Sequence, residues 1–282
     1  MFMTQLKIAK RHPLRLTFGV LDIGTSLMGV WQRRELLLHM TIRHLRGQYK
    51  QSILGYAWAI LNPLSLMLIL SFVFSTILRF ESQGIPYPLF IFVGLLPWIF
   101  FSGALSSATD SIAGASNLVT KVYFPREILP TAAALTKVVD LGFGLLILAG
   151  LMVYYGHPPE WTVVWVPILF VIHLLFTLGL AFPLAALNLY FHDVRYLVGV
   201  ALTLWFYLTP VIYPMDVVPQ RYQFIYDVNP NSLLINAYRS VMLEGGSPGM
   251  DRLLVGLGIA LVTFVVGYYL FKRMEPGFAD RI

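Results

Sequence analysis

The stretch TVVWVPILFVIHLLFTLGLAFPLAALNLY, residues 162–190, contains no charged side chain. An α-helix needs about 20 apolar residues to cross about 30 Å of hydrocarbon, so this stretch is long enough to span a bilayer. Further apolar runs alternate with short charged segments, at residues 53–78, 89–108, 131–155, 196–213 and 253–271. Together with 57% hydrophobic and 12% charged residues, these runs predict an all-α integral membrane protein with six transmembrane helices.

The residues outside the apolar runs are too few for an additional soluble domain of ordinary size. The net charge of +6 would suit nucleic acid, but the positions of the basic residues favour a membrane explanation. The chain has 20 Lys and Arg residues. If the N-terminus is cytoplasmic, only four of them lie on the outer side, namely Arg79, Arg221, Arg239 and Arg252. Because basic residues gather on the cytoplasmic side, we expect a multi-pass protein of the cytoplasmic (inner) membrane. Both termini are predicted to be cytoplasmic, and no nucleic-acid partner is predicted.

Residues 31–51 predict a helix that lies in the membrane surface, after a cytoplasmic extension of residues 1–30. Helical spacing forms a basic stripe from His39, Arg43, Arg46 and Lys50. Such a helix turns an apolar side to the membrane and extends its basic side chains toward lipid headgroups or a partner. The alternative is a general juxtamembrane anchor.

The loop between the second and third apolar runs contains KVYFPREILP, residues 121–130. It combines basic, acidic and aromatic residues, and it places Tyr123 and Phe124 where water would otherwise meet them. Exposed apolar groups ringed by charge indicate a docking surface. Alternatively, the two rings pack beneath the membrane domain, and the residues alone leave both possibilities open.

The fifth apolar run ends in WFYLTPVIYP, residues 205–214. Three adjacent aromatic residues cover nearly the whole circumference of a helix, so some of them must face protein or a lumen. The segments YQFIYDVNP and SLLINAYRSVML then predict two short amphipathic helices at about residues 215–246. Neither is long enough to cross a bilayer, so we expect re-entrant or interfacial helices before the last span.

Motifs of catalysis and nucleotide binding are absent from the sequence. There is no G-x-x-x-x-G-K-[ST] motif that would cradle ATP phosphates, and the histidines lack metal-ligand spacing. His173, inside the fourth run, is predicted to be a hydrogen-bonded structural residue. Lys137 and Asp140 lie three residues apart in the third run, where a functional and a structural role are equally compatible with the pattern. No catalytic residue, metal site or cofactor is predicted for this chain.

Several motifs together identify a family resemblance. RGQYKQSILGYAWAILNPL (residues 46–64), VGLLPWIFFSGAL (93–105) and KVYFPREILP resemble the membrane subunits of type-2 ABC exporters, as do NLYFHDVRYLVG (188–199) and WFYLTPVIYP. The subgroup that they resemble exports lipid-linked surface polysaccharides such as O-antigen, teichoic acid or mycobacterial galactan. The resemblance covers about residues 31–275, which we interpret as one transmembrane domain followed by a cytoplasmic tail of residues 276–282.

The resemblance implies a homodimer with two separate ATPase subunits, which would bind the ATP and Mg that this chain cannot. It implies a coupling helix that inserts into the ATPase, formed by Lys121, Val122, Tyr123, Phe124, Pro125, Arg126 and Glu127. The two short helices of residues 215–246 resemble an outer gate, and the first and fifth spans resemble the channel-lining helices.

If the chain is the channel-forming subunit of an exporter of an undecaprenyl-linked polysaccharide, two further sets of residues are candidates for contact with this substrate. Aromatic rings that stack on sugars would line the channel, and the candidates are Trp58, Trp205, Phe206, Tyr207 and Tyr213. The alternative is that these rings have only a structural role and pack between helices. Arg43, Arg46 and Lys50 are candidates for contact with the lipid carrier's headgroup, although contact with ordinary anionic membrane lipids explains them equally well.

Other functions remain open at the level of sequence. A type-2 ABC permease for teichoic acid, capsule, a lipid or a drug would share the fold and the ATPase partner. A membrane glycosyltransferase or polymerase subunit is a more distant alternative, which predicts paired carboxylates in a sizeable loop. The longest outer loop contains only scattered acids, at Asp216, Asp227, Glu244 and Asp251.

Overall fold

The architecture comes from a computed structural model that describes residues 28–281, except residues 30, 51, 80–83 and 123 and the side chains at 119, 120, 279 and 280. The predicted extension of residues 1–30 lies almost entirely outside the described residues. Within them the chain is helical and contains no strand. The α-helices, numbered in chain order, are α1 (Arg34–Tyr49), α2 (Ala57–Ser71), α3 (Tyr87–Asp110), α4 (Ser116–Lys121), α5 (Ile128–Tyr154), α6 (Val166–Tyr190), α7 (Val194–Tyr207), α8 (Gln220–Val228), α9 (Pro230–Leu243) and α10 (Met250–Met274).

Five helical segments of the described chain are long and apolar enough to cross a membrane. They are Ala57–Ile77, Tyr87–Asp110, Ile128–Tyr154, Trp161–Tyr190 and Met250–Phe278. The first includes a π-helical continuation of α2, Phe72–Ile77, and the fourth begins with the 3₁₀ turn Trp161–Trp165. The all-α membrane fold is therefore confirmed, with helix ends within a few residues of the predicted spans.

The fifth predicted span is shorter than expected. Its helix, α7, has 14 residues, a length of about 21 Å, and so does not match a full hydrocarbon core by itself. Residues 208–213 leave the helix at a stretch that contains Pro210, which cannot continue it. Other groups satisfy the carbonyls of this stretch: Arg239 binds those of Pro210 and Val211, and the Tyr87 hydroxyl donates to that of Ile212. The expectation that residues 208–213 are helical was wrong, while the membrane span over residues 196–213 stays a prediction.

Helix α3 forms the centre of the bundle, with 17 of its 24 residues buried. Helices α2, α5, α6 and α9 pack around it. Helix α10 packs on α6 with the backbones close together, because a Cβ built at Gly179 would lie 2.6 Å from the Phe264 nitrogen. Small residues permit this kind of approach between membrane helices.

The short helices define the two ends of the bundle. The proximal end carries α1, α4 and the C-terminal 3₁₀ turn Glu275–Asp280, and the distal end carries α8 and α9. The predicted helix of residues 31–51 is present as α1, which packs on α5 and turns Leu36, Leu37 and Met40 toward the bundle. The predicted pair of residues 215–246 is present as α8 and α9, but 12 of the 14 residues of α9 are buried. Helix α9 is therefore part of the core rather than a surface helix.

Candidate functional site: the coupling segment, the aromatic set and the basic helix

The predicted coupling segment, residues 121–127, is helical only at Lys121 in its described part. Helix α4 ends at Lys121, Val122 has extended backbone angles (φ −130°, ψ 134°), and residues 126–127 form a turn before α5. Tyr123 lies outside the described residues. The short helix of this loop is thus α4, just before the predicted position, and the prediction of helical structure over residues 121–127 was wrong.

The side chains of the segment divide into an exposed and a buried part. Lys121 is exposed and Val122 is 54% exposed, whereas Phe124 is only 6% exposed. Phe124 belongs to the same buried cluster as Ile128 and Phe278. Phe124 is therefore a core residue of this chain, which agrees with the alternative that this ring packs beneath the membrane domain.

The end of the segment is tied to the C-terminal part of the chain. The Glu127 carboxylate, 1% exposed, accepts a hydrogen bond from the Tyr268 hydroxyl at 3.0 Å and pairs with Lys272 Nζ at 2.9 Å. Arg126 Nη1 donates to the carbonyl of Glu275 at 2.7 Å, and its guanidinium lies 5.6 Å from the Phe278 ring centre. Any displacement of this segment must therefore be transmitted to α10, a connection across about 140 residues that the sequence pattern did not reveal.

The five aromatic candidates for a channel lining do not form one surface. Trp58 and Tyr207 are exposed, at 51% and 62%. Trp205 packs edge-on to Phe101 at 5.3 Å.

Phe206 lies 5.5 Å from the Trp98 ring, and the Tyr213 hydroxyl donates to the carbonyl of Tyr207. The structure thus leaves Trp58 and Tyr207 on open surfaces, while Trp205, Phe206 and Tyr213 have packing partners inside the chain.

A polar junction at the distal end, formed by Asn229 and Asn231, was missed by sequence reasoning. Asn229 Oδ1 accepts from Trp205 Nε1 at 2.9 Å, and its amide donates to the carbonyl of Leu208 and to Thr209 Oγ1. Asn231 Oδ1 lies 3.1 Å from His173 Nε2, so His173 is hydrogen-bonded, as predicted. The Asn-Pro-Asn sequence was visible as a helix boundary, but its partners come from distant parts of the chain.

Arg239 fastens the irregular segment after α7 to the core. Its side chain is 4% exposed, its Nη1 and Nη2 atoms donate to the carbonyls of Pro210 and Val211 at 2.6 Å, and it lies 3.8 Å over the Phe90 ring. A charge buried this deeply needs such partners. Arg239 therefore connects α9 to α3 and to residues 210–211. Charge counting places it on the outer side of the membrane but does not indicate that it is buried.

At the proximal end, all four residues of the basic stripe are exposed, as expected for a surface helix. On its other side, α1 joins α5 through the Lys137–Asp140 pair, whose Nζ and Oδ2 atoms are 3.2 Å apart. Lys137 donates to Gln48 Oε1 at 2.8 Å, and the Tyr49 hydroxyl donates to Asp140 Oδ1 at 2.6 Å. Burial raises the pKa of Tyr49, and the bond to Asp140 acts in the same direction, so the phenol stays a donor. The pair predicted from sequence is present and carries a structural contact.

Transmembrane helices that pack around a buried central helix, with exposed segments at one end, are the architecture of a multi-pass membrane protein. A family model described as ABC-2 type transporter matches residues 35–243. The chain belongs to this family of transport proteins, and the resemblance to type-2 ABC exporters is confirmed.

Individual relatives cover nearly the whole chain. The O-antigen export system permease protein RfbA of Myxococcus xanthus is 34% identical over 90% of this chain and 97% of its own length. A protein of the same name from Klebsiella pneumoniae is 27% identical over 87% and 94%, respectively. The polysialic acid transport protein KpsM of Escherichia coli is 23% identical over 83% and 91%.

Proposed function

We propose that this chain is the permease subunit of an ATP-driven exporter that moves an undecaprenyl-linked, O-antigen-like polysaccharide across the cytoplasmic membrane. The observation that carries the proposal is the 34% identity to an O-antigen export permease along 90% of the chain. The missing P-loop supports a division of labour in which separate subunits hydrolyse ATP with Mg. The chain itself then performs no catalysis.

The proposed assembly contains two copies of this chain and two ATPase subunits. In it the proximal end faces the cytoplasm, an orientation supported by the distribution of Lys and Arg residues. The ATPase contact is formed by the exposed residues Lys121 and Val122 together with Tyr123. Phe124, Arg126 and Glu127 do not touch the ATPase in this proposal. They connect the contact to the core and to the C-terminal part of the chain, including α10.

The proposed path for the polysaccharide lies between the two copies. Helix α7 supports this location, since only Val198 and Leu202 of its 14 residues are buried within the chain. Trp58 and Tyr207 are the aromatic candidates that could meet passing sugars. Trp205, Phe206 and Tyr213 would pack behind the residues that line the path.

The proposed contact for the lipid carrier is the exposed basic stripe. Arg43, Arg46 and Lys50 border an open groove together with Tyr49 and Tyr56. Charge-assisted hydrogen bonds from Arg and Lys suit phosphate oxygens. A diphosphate at the inner membrane surface would lie within the reach of these side chains.

The proposal is tested by deleting the gene, restoring it with variants, and purifying the protein with the ATPase encoded beside it. Val122→Asp should leave the chain in the membrane, abolish surface polysaccharide and uncouple ATP hydrolysis. The matched control is Met250→Asp at the distal end, where the side chain is 52% exposed, against 54% for Val122. Unchanged surface polysaccharide after deletion would refute the export function, and normal export by Val122→Asp would refute the coupling contact.

A further inference from the structure

The proposed function does not use a cavity at the proximal end, which we call the inner cavity. It lies between α1, α2, α3 and α5 and encloses about 380 Å³, within the range of small-molecule sites. Its polar lining comes from Gln48, Asn62, Ser102, Lys137 and Asp140. None of these five residues is buried, since Gln48 and Asn62 are exposed and the other three are partly exposed. Their polar groups are therefore accessible to a ligand in the cavity.

The charges that line this inner cavity cancel. Among the residues that the structure describes, Lys137 and Asp140 are the charged ones that line it, and they form an ion pair with an Nζ to Oδ2 distance of 3.2 Å. Gln48 bridges the pair, since it accepts from Lys137 and donates to Asp140 at 3.3 Å. An anion or a cation would meet one repelling group at close range. The lining therefore favours an uncharged ligand with both donors and acceptors.

The rest of the lining suits a sugar ring. Trp58 lines the cavity and is 51% exposed overall, so a flat apolar ring is available beside the polar groups. Asn62, four residues along α2 and thus on the same helix face, is exposed and offers an amide. A pyranose presents hydroxyl groups at its edge and C–H groups on its faces, which match these two kinds of surface.

The position of the cavity indicates which sugar it would meet. Tyr49 lines both the inner cavity and the groove of the basic stripe. The groove is positively charged through Arg43, Arg46 and Lys50, whereas the cavity is neutral. One side chain therefore separates a site suited to phosphate from a site suited to a neutral polyol.

We propose that the inner cavity binds an uncharged sugar residue next to the diphosphate of a lipid-linked glycan, while the groove binds the diphosphate. This inference rests on the proposed export function and adds a recognition site to it. The inner cavity would hold the first sugar before the chain enters the path.

The absence of cysteine from the sequence permits a direct test, because one introduced thiol is unique. Gly103 lines the cavity, and a Cβ at this position would meet Lys137 carbons only at ordinary contact distance, 3.5 Å or more. The matched control is Gly142 on α5, which is exposed, is not part of the cavity lining, and has open space around a built Cβ. Gly103→Cys and Gly142→Cys are each expressed with the partner ATPase in its hydrolysis-deficient form, so that bound glycan is retained.

Maleimide modification rates are compared in membranes from cells that make the lipid-linked glycan and from cells that cannot. Occupancy of about nine-tenths of the sites slows modification about tenfold, so this is the expected effect for Gly103→Cys. Gly142→Cys should react equally in both membranes. Added undecaprenyl diphosphate, which has no sugar, should leave the Gly103→Cys rate unchanged.

The possible results separate the two proposals. Equal Gly103→Cys rates with and without glycan, no reaction in either membrane, or protection by undecaprenyl diphosphate alone would each overturn the sugar site. These results would leave export itself intact as long as the unmodified variant, expressed with the active ATPase, still restores surface polysaccharide. Loss of the export function would appear separately, as surface polysaccharide that does not depend on the gene.

Discussion

The ion pair between Glu127 and Lys272 allows a quantitative test of how the coupling segment is anchored. The change is Lys272→Met, which removes the cation but retains most of the apolar stem. Glu127 is 1% exposed and Lys272 is 11% exposed, so the pair is shielded from water. Removal of one partner of a buried pair leaves an uncompensated charge and typically costs about 3–5 kcal/mol.

The expected magnitude is large enough to measure in detergent or nanodiscs. At about 2–4 °C per kcal/mol for a protein of this size, the loss predicts a fall in melting temperature of about 6–20 °C. The control is Arg273→Met, which removes the same charge from the next residue, an exposed one. Exposed charges contribute about 0–1 kcal/mol, so this variant should melt within a few degrees of the native chain.

A second variant distinguishes the effect of an unpaired buried charge from the effect of losing the Lys272 side chain. Glu127→Gln combined with Lys272→Met removes both charges, and the Tyr268 hydroxyl can still donate to the new amide oxygen. The double variant should recover most of the lost stability. If Lys272→Met is no worse than Arg273→Met, or if the double variant melts as low as Lys272→Met, the anchoring argument is refuted.

Two further predictions concern the ends of the bundle. Gly94→Ala should destabilise the protein by about 1–3 kcal/mol in thermal melts, because the new Cβ would lie 2.7 Å from Arg239 Nη2 and 3.1 Å from the Val211 carbonyl oxygen. Tyr49→Phe should loosen α1 from α5 and speed tryptic cleavage within α1. It removes a hydrogen bond to the Asp140 carboxylate, a kind of bond that contributes about 1.5–3 kcal/mol.

Each of these two predictions has a control within the chain. Gly142→Ala meets no atom within 4 Å and should stabilise α5 slightly, by up to about 1 kcal/mol, so the two glycine variants should differ in sign. Tyr154→Phe changes a tyrosine that is 79% exposed and should alter neither melting nor cleavage. Equal melting of the two alanine variants, or equal cleavage of the two phenylalanine variants, would contradict the respective contact.

The sequence predicted those elements that depend on local composition. Apolar runs identified the long helices, and helical spacing identified α1, with the basic stripe exposed. The end of α7 had a local signal in Pro210, three residues beyond Tyr207, because proline lacks the N–H that would continue the helix. The residues of α7 did not show that Arg239, far along the chain, binds the carbonyls of the segment that follows.

The burial of Phe124 was unpredictable for a related reason. The sequence around it is mixed and charged, which is typical of a water-facing loop. Its partners include Phe278, more than 150 residues later. A pattern within one segment carries no information about which distant segment covers it, so the choice between docking and packing could not be made from the segment alone.

Helix α5 connects the coupling segment, α1 and α10 at the proximal end. It begins directly after Glu127, which is paired with α10, and Asp140 follows 13 residues later, where it holds α1. These two contacts are about 20 Å apart along the helix. An ATPase that pushes on Val122 would therefore move α1 and α10 together with α5. The inner cavity lies on the α1 side of this unit, so each stroke would change its shape where we expect the first sugar to bind.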